Sequence, residues 1–290
     1  MKLWKATGAC MFFLLILFWT LVFVPVLPDL FRAWFSHTDN MHGLFVPFIA
    51  LYFAWKKKEQ VRDVELHGSL WGGAALVVSL LLYLVSYLGG IQFVSRLMIV
   101  CSLIALVWTS YGLKVVQLFL FPLGFLFFMV PVPETLVGTI SFPLQMMATN
   151  ISSLFLNLLS IPVYQEGNLL YFAQVQLEVA EACSGIRSIV ALLMLAVLMT
   201  SFSTSHGLFK TLLVLCSVPV AMLANIVRVI LTGLLAHFYG GDLARSFLHG
   251  FSGLVVFLLG FAFLAFLSRL FDLLDEKRSF AKNLCMKNHE

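Results

Sequence analysis

The chain has 290 residues, of which 61% are apolar and 11% are charged, and its mean hydropathy is +0.99. A water-soluble fold of this length needs much more charge on its surface, and a disordered chain contains much less apolar side chain. A formal net charge of +4 is too small to indicate binding to nucleic acid. The composition therefore predicts an all-α polytopic membrane protein with little room for a separate soluble domain.

Eight segments are candidates for transmembrane helices, each of which needs about 20 mostly apolar residues. In chain order they are 9–27, 43–55, 70–88, 97–108, 115–130, 189–202, 212–236 and 251–267. The first follows two lysines and ends without a small-x-small cleavage motif, so we expect an uncleaved signal anchor. The second is short and precedes Lys56, Lys57 and Lys58, the densest basic run in the chain. This run predicts the cytoplasmic side, because loops rich in Lys and Arg stay there.

Segment 135–159 has the length of a span but carries a polar stripe near helical period. The stripe consists of Thr135, Thr139, Gln145, Thr149, Ser153, Asn157 and Ser160. If this segment crossed in addition to the eight, the basic C-terminal residues would lie outside. The distribution of Lys and Arg therefore favours an interfacial or re-entrant amphipathic helix, with both termini in the cytoplasm. A crossing helix stays the alternative.

The pattern changes period between residues 161 and 182. Polar Gln174, Gln176 and Glu178 alternate with Val175, Leu177 and Val179, which is typical of a strand. Residues 166–168, Glu-Gly-Asn, are typical of a turn, and they lie between this strand and residues 163–165. Strand backbone is not tolerated against lipid, so we expect a small β-hairpin at the outer face. Residues 1–272 then form a single membrane-embedded domain, and residues 273–290 form a polar cytoplasmic tail.

Polar residues within such a chain concentrate in three stretches, and the predicted topology brings all three to the outer leaflet. They contain Cys183, Arg228 and His249, which together predict a cysteine nucleophile. A nearby imidazole, guanidinium or helix N-terminus lowers the pKa of a thiol, and His249 can accept and return the proton. Arg228 is too basic to act as a base but can stabilise a thiolate or an oxyanion. The candidate supporting residues are Glu181, Ser184, Arg187 and Asn225.

Two further observations bear on this site. Asn225, Arg228 and Thr232 fall on one stripe of one helix, so they can face the bundle interior together. The five cysteines have no metal-ligand spacing, and the chemistry requires no metal or organic cofactor. Each candidate also has a structural interpretation, such as a small buried Cys or a paired Arg. The residues alone leave an enzyme and a transporter equally open.

At these stretches the sequence resembles the exosortase/archaeosortase family. The likeness is carried by residues 178–188 (EVAEACSGIRS), 219–228 (PVAMLANIVR), 232–237 (TGLLAH) and 247–253 (FLHGFSG), and it extends to 42–47 (HGLFVP), 131–134 (PVPE) and 161–168 (IPVYQEGN). Each motif alone is weak, but the set is highly specific and covers about residues 35–255. Gly250 stands where many relatives carry Glu.

The resemblance implies a cysteine transpeptidase of the bacterial inner membrane, with its active site at the periplasmic face. Family substrates are exported proteins that end in a Pro-Glu-Pro-like motif, a transmembrane helix and a basic cluster. The family's Cys, Arg and His map onto Cys183, Arg228 and His249. The cleaved protein passes to an acceptor nucleophile, and many members accompany exopolysaccharide synthesis. The implied partners are these tagged proteins, the acceptor and membrane lipids, with no nucleic acid.

Two alternatives remain beside this interpretation. One is a transporter or channel component of polysaccharide export in which Arg228 lines the path, and the other is a non-catalytic scaffold. If the chain is a transpeptidase, the basic cluster of the tag lies on the cytoplasmic side. The acidic residues available to meet it there are Asp63, Glu65, Asp272, Asp275 and Glu276.

Overall fold

The computed structural model describes residues 2–36, 40–173, 175–179, 186–240 and 252–287, which fall into two compact units that divide after Pro133. The helices of the first unit are α1 (Lys2–Phe23), α2 (Leu27–Ser36), α3 (His42–Lys56), α4 (Leu70–Leu88), α5 (Gln92–Tyr111), α6 (Leu113–Leu118) and α7 (Leu120–Phe125), with 3-10 turns at Gln60–Asp63 and Leu126–Met129. The second unit contains α8 (Glu134–Leu158), β1 (Tyr164–Glu166), β2 (Leu169–Tyr171), β3 (Gln176–Glu178), α9 (Ile186–Thr200), α10 (Gly207–Tyr239) and α11 (Ser252–Lys287).

Within the described residues, four helices are long and apolar enough to cross a membrane: α4, α5, α10 and the 253–278 part of α11. Two bent pairs of helices raise the number to six if each pair counts as one span. In the first pair, the helix Phe12–Phe23 meets Leu27–Phe35 at 67°. An all-α polytopic membrane protein therefore fits. The count of eight stays a prediction, because it also needs α3 and α9, and each of these has only 15 residues.

The predicted span 115–130 is not one helix but the short helices α6 and α7 and a 3-10 turn. Pro122 lies in α7 and has no N–H to donate to the carbonyl of Leu118 four residues earlier. The Nζ of Lys57 donates to that carbonyl instead, at 2.8 Å. The break is therefore stabilised by a charged side chain from another helix, which the local sequence could not reveal.

In the first unit, α3 begins against an indole ring. Trp34 of α2 is buried and lies directly on Gly43, so that a Cβ at this position would overlap the ring. Its Nε1 donates to the carbonyl of Met129 at 2.8 Å, at the end of the 3-10 turn. This close approach gives the glycine of the 42–47 motif a structural role.

The helix α8 is polar inside and apolar outside. Its buried face carries Ser141, Gln145, Thr149, Ser152 and Ser153, and its exposed face carries Leu136, Ile140, Met147, Ile151, Leu154 and Leu158. Such a helix suits a lipid environment in which polar side chains point into the protein.

The helix α10 packs beside α8, and the two helices run in the same direction. The Oγ of Ser152 donates to the carbonyl of Ile226 at 3.4 Å, and Leu156 of α8 packs on Gly233 of α10 seven residues further along. An interfacial helix lies in the membrane plane and cannot run alongside a spanning one. The packing of α8 alongside α10 therefore favours the crossing alternative, and the interfacial or re-entrant orientation of 135–159 stays a prediction.

Three antiparallel strands follow α8 in the order β1-β2-β3. The sequence predicted a hairpin made of the outer two, but each of these pairs instead with β2, whose three residues are too few to show a period. Its central residue Leu170 is fully buried and pairs with Gln165 and Leu177. Gly167 has a φ of +61° in the turn between β1 and β2, a conformation that favours glycine.

Candidate active site

The polar stripe of α10 points into the second unit. Arg228 is 7% exposed, Asn225 is 2% exposed and Thr232 is fully buried. The Oγ1 of Thr232 donates to the carbonyl of Arg228 at 2.9 Å, which satisfies the hydroxyl within the helix. The three side chains therefore share the inward face that their spacing predicts, and a guanidinium at this position is held almost entirely away from solvent.

The sheet packs on the helical turn that carries Arg228. Val229 belongs to one core cluster with Leu156 of α8 and with Leu170, Leu177 and Val179 of the strand region. Gly233 permits this approach, because a Cβ there would lie 2.8 Å from Cδ1 of Leu156 and 3.2 Å from Phe172. The chain that leaves β3 is thus fixed against the Arg228 turn.

Val179 is the last described residue before residues 180–185, and its backbone is bonded on both sides. Its N–H donates to the carbonyl of Asn168 at 2.9 Å, and Nδ2 of Asn168 donates back to the carbonyl of Val179 at 3.3 Å. The sequence identified Asn168 only as a turn residue. Its second role depends on a residue eleven positions away, and no local pattern indicates it.

The start of α9 and the start of α11 lie at the same end of the second unit. Gly260 of α11 is in such close contact with Leu192 of α9 that a Cβ at Gly260 would overlap the leucine. Ile186 is six residues, or about 9 Å, from that contact, and Ser252 is eight residues, or about 12 Å, from it. The two helix starts therefore differ in height by roughly 3 Å along the helix axes.

The order of the helices places Arg228 towards the same end. The helices α9 and α10 are joined by residues 201–206 and pack together through Leu192, Ala196, Leu213 and Val220. A helix pair with so short a connection is antiparallel, so the start of α9 lies opposite the link. The later part of α10, which contains Arg228, extends towards that same end.

Several predicted site residues cannot be placed. Glu181, Cys183, Ser184 and His249 lie outside the described residues, as does the side chain of Arg187, whose backbone belongs to the first turn of α9. Cys183 comes three residues before Ile186, and His249 comes three residues before Ser252. The structure thus brings together the segments that flank these two residues, together with the side chains of Arg228 and Asn225.

Comparison with known families gives one match. Residues 34–266 match the family model described as transmembrane exosortase (Exosortase_EpsH). The matched range is most of the chain and contains every predicted site residue. No curated protein and no solved structure matches the chain.

Proposed function

The chain belongs to the transmembrane exosortase family, and from this premise we propose that it is a membrane-embedded cysteine transpeptidase. Its substrates are exported proteins with a C-terminal tag made of a Pro-Glu-Pro-like motif, a transmembrane helix and a basic cluster. It acts at the outer face of the bacterial inner membrane and transfers the cleaved protein to an acceptor, in connection with exopolysaccharide assembly.

One observation carries the assignment of the site. Val179, four residues before Cys183, shares a core cluster with Val229, the residue after Arg228. The chain is covalently continuous, and four extended residues span at most about 14 Å. This limit supports a thiol within reach of the Arg228 turn. The starts of α9 and α11 differ in height by only about 3 Å, which supports an imidazole near the same level.

The proposed reaction has two steps. The Cys183 thiolate attacks the carbonyl carbon of the tag, a C–S bond forms, and Arg228 stabilises the resulting oxyanion. The C–N bond then breaks as His249 gives its proton to the leaving amine, which leaves a thioester. An amine or hydroxyl of the acceptor attacks this thioester, His249 takes the proton of the attacking group, and the thiolate leaves. Water in place of the acceptor gives hydrolysis.

The burial of Arg228 suits this role. A guanidinium that is 7% exposed acts in a low-dielectric setting, where it interacts with a developing oxyanion more strongly than it would in water. Its planar fork donates two parallel hydrogen bonds in fixed geometry, which an ammonium cannot do. The hydroxyl of Thr232 donates to the carbonyl of Arg228 and so is satisfied one turn along the same helix.

The test follows the processing of a tagged substrate in cells. Cys183→Ala should abolish cleavage, and Cys183→Ser should be almost as poor, because a serine hydroxyl does not ionise near neutral pH as a thiol does. The matched control is Cys216→Ala, which removes a thiol from α10 on the same background. Near-normal processing by Cys183→Ala at equal protein level would end the proposal.

The buried polar face of α8 is also what a transporter would use. Gln145, Thr149 and Ser152 are buried, and Ala148 of the same helix lines a small cavity together with Asn225 of α10. If the chain forms a transport path, Cys183→Ala is harmless and Arg228→Ala blocks export of polysaccharide. A measurement of export and of tag processing in the same two variants separates the two functions.

A further inference from the structure

The link between α9 and α10 is bonded to α11 through two aspartates. The Oγ of Ser203 donates to Oδ1 of Asp272 at 2.7 Å, and the Oγ of Ser205 donates to the same oxygen. One turn further along α11, Oδ2 of Asp275 accepts from the backbone N–H of His206 at 2.6 Å. We call these five residues the α11 clasp.

Asp275 is the more enclosed of the two aspartates in the α11 clasp. The residue is 8% exposed, and the same Oδ2 also lies 2.6 Å from Nδ1 of His206. His206 precedes the first residue of α10, so the carboxylate sits at the positive end of that helix. Bonds to an ionised carboxylate are roughly twice as strong as neutral ones. Asp272 and Asp275 therefore bond within the chain, whereas the sequence offered them as partners for the basic cluster of the tag.

Two contacts fix the height of α11 relative to α9 and α10. The first is the packing of Gly260 on Leu192, which leaves no room for a Cβ at Gly260. The second is the α11 clasp. Asp272 is twelve residues beyond Gly260, so the contacts are about 18 Å apart along the helix. One contact leaves a helix free to tilt or shift, whereas two define both its height and its direction.

We propose that Asp272 and Asp275 are positioning residues, which set the axial register of α11 and thereby the height of Ser252 relative to Ile186, the helix starts that follow His249 and Cys183 in the chain. This inference rests on the proposed function. A slide of α11 by part of a turn would move Ser252 by the same amount relative to Ile186. Misplacement by about 1 Å can cost on the order of a hundredfold in rate, so a distant contact is enough to control catalysis.

The geometry is tested first and without catalysis. In a chain whose five native cysteines are replaced by alanine, Ser203→Cys is combined with Asp272→Cys. Mild copper-catalysed oxidation of isolated membranes should form a disulfide that protects both thiols from a maleimide polymer. The control pairs Ser203→Cys with Leu273→Cys, whose side chain is half exposed on another face of α11 and should stay reactive. Absence of the first disulfide would overturn the register contact whatever the enzyme does.

The functional arm measures tag processing on the native cysteine background. The double variant Asp272→Ala with Asp275→Ala should lower the processing rate roughly 10- to 100-fold, while the tagged substrate still co-purifies. Replacement of both by Asn keeps oxygen acceptors and should restore most of the rate. Lys277→Ala removes an exposed charge from the same turn of α11 and should have no effect.

Substitutions of His206 test the bond to Asp275 most specifically, through their processing rates. The amide nitrogen of Asn can occupy the place of Nδ1 whereas that of Gln matches Nε2, so His206→Asn should process better than His206→Gln or His206→Ala. A wild-type rate in the double variant Asp272→Ala with Asp275→Ala, at equal protein level, would overturn the proposal. If Cys183→Ala processes the tag normally, the proposed function fails instead, and the disulfide result still decides whether the register contact exists.

Discussion

At residue 228 a guanidinium lies almost completely inside the bundle, where a charge is costly unless it is paired or hydrated. Lysine keeps the charge but not the planar fork, so Arg228→Lys should insert normally and lose oxyanion stabilisation. We expect tag processing to fall roughly a hundredfold or more, as for the loss of an oxyanion donor. Immunoblots of membranes give the protein level, and pulse-chase of a tagged substrate gives the rate. A rate within a factor of two of wild type would contradict the role.

Asn168 acts on the site through the backbone of Val179. Asn168→Ala removes the Nδ2 bond to the carbonyl of Val179, worth about 1 kcal/mol, and leaves the backbone bond between them intact. Asn168→Asp should be equally poor, because the carboxylate has no donor. The control is Asn150→Ala, whose side chain bonds Gln165 at the exposed side of the sheet. We expect slower processing in the Asn168 variants and not in the control. Equal rates in all three would show that the Val179 anchor does not matter.

At the scale of elements, two substitutions at the break between α6 and α7 should have opposite effects on stability. Lys57→Met leaves the carbonyl of Leu118 without its charged donor and should lower the unfolding free energy by about 1.5–3 kcal/mol. Pro122→Ala restores a backbone N–H that can bond the same carbonyl. Lys57→Met should therefore cost much less on the Pro122→Ala background. Denaturation in detergent of the four chains of this double-mutant cycle measures the coupling. Additive effects would mean that the two groups do not share the carbonyl.

The elements also show what the sequence can and cannot reveal. The predicted span 70–88 coincides with α4 and 97–108 lies within α5, because unbroken apolar runs specify long helices directly. The inward stripe of α10 followed from spacing alone. By contrast, the break near Pro122, the strand β2 and the packing of Val179 on Val229 depend on partners far away in the chain. The polar stripe of α8 was visible, but which surface it faces is decided by α10 beside it.

For the whole molecule, sidedness depends on how many times residues 113–158 cross the membrane. One crossing, whether through 113–129 or through α8, keeps the basic loops and the α11 clasp in the cytoplasm and the sheet outside. Two crossings would invert everything after α8. Packing of α8 alongside α10 favours a crossing through α8.

Labelling at two exposed positions tests on which side of the membrane the sheet and the α9–α10 link lie. On a background in which the native cysteines are replaced, Glu166→Cys in the sheet should react with a membrane-impermeant maleimide in intact cells. Thr204→Cys in the α9–α10 link should react only after lysis. Both side chains are exposed, so reactivity reports the side of the membrane and not burial. The reverse pattern would place the segments that flank Cys183 and His249 in the cytoplasm, where an enzyme for exported proteins cannot meet its substrates, and it would remove the basis for the proposed function.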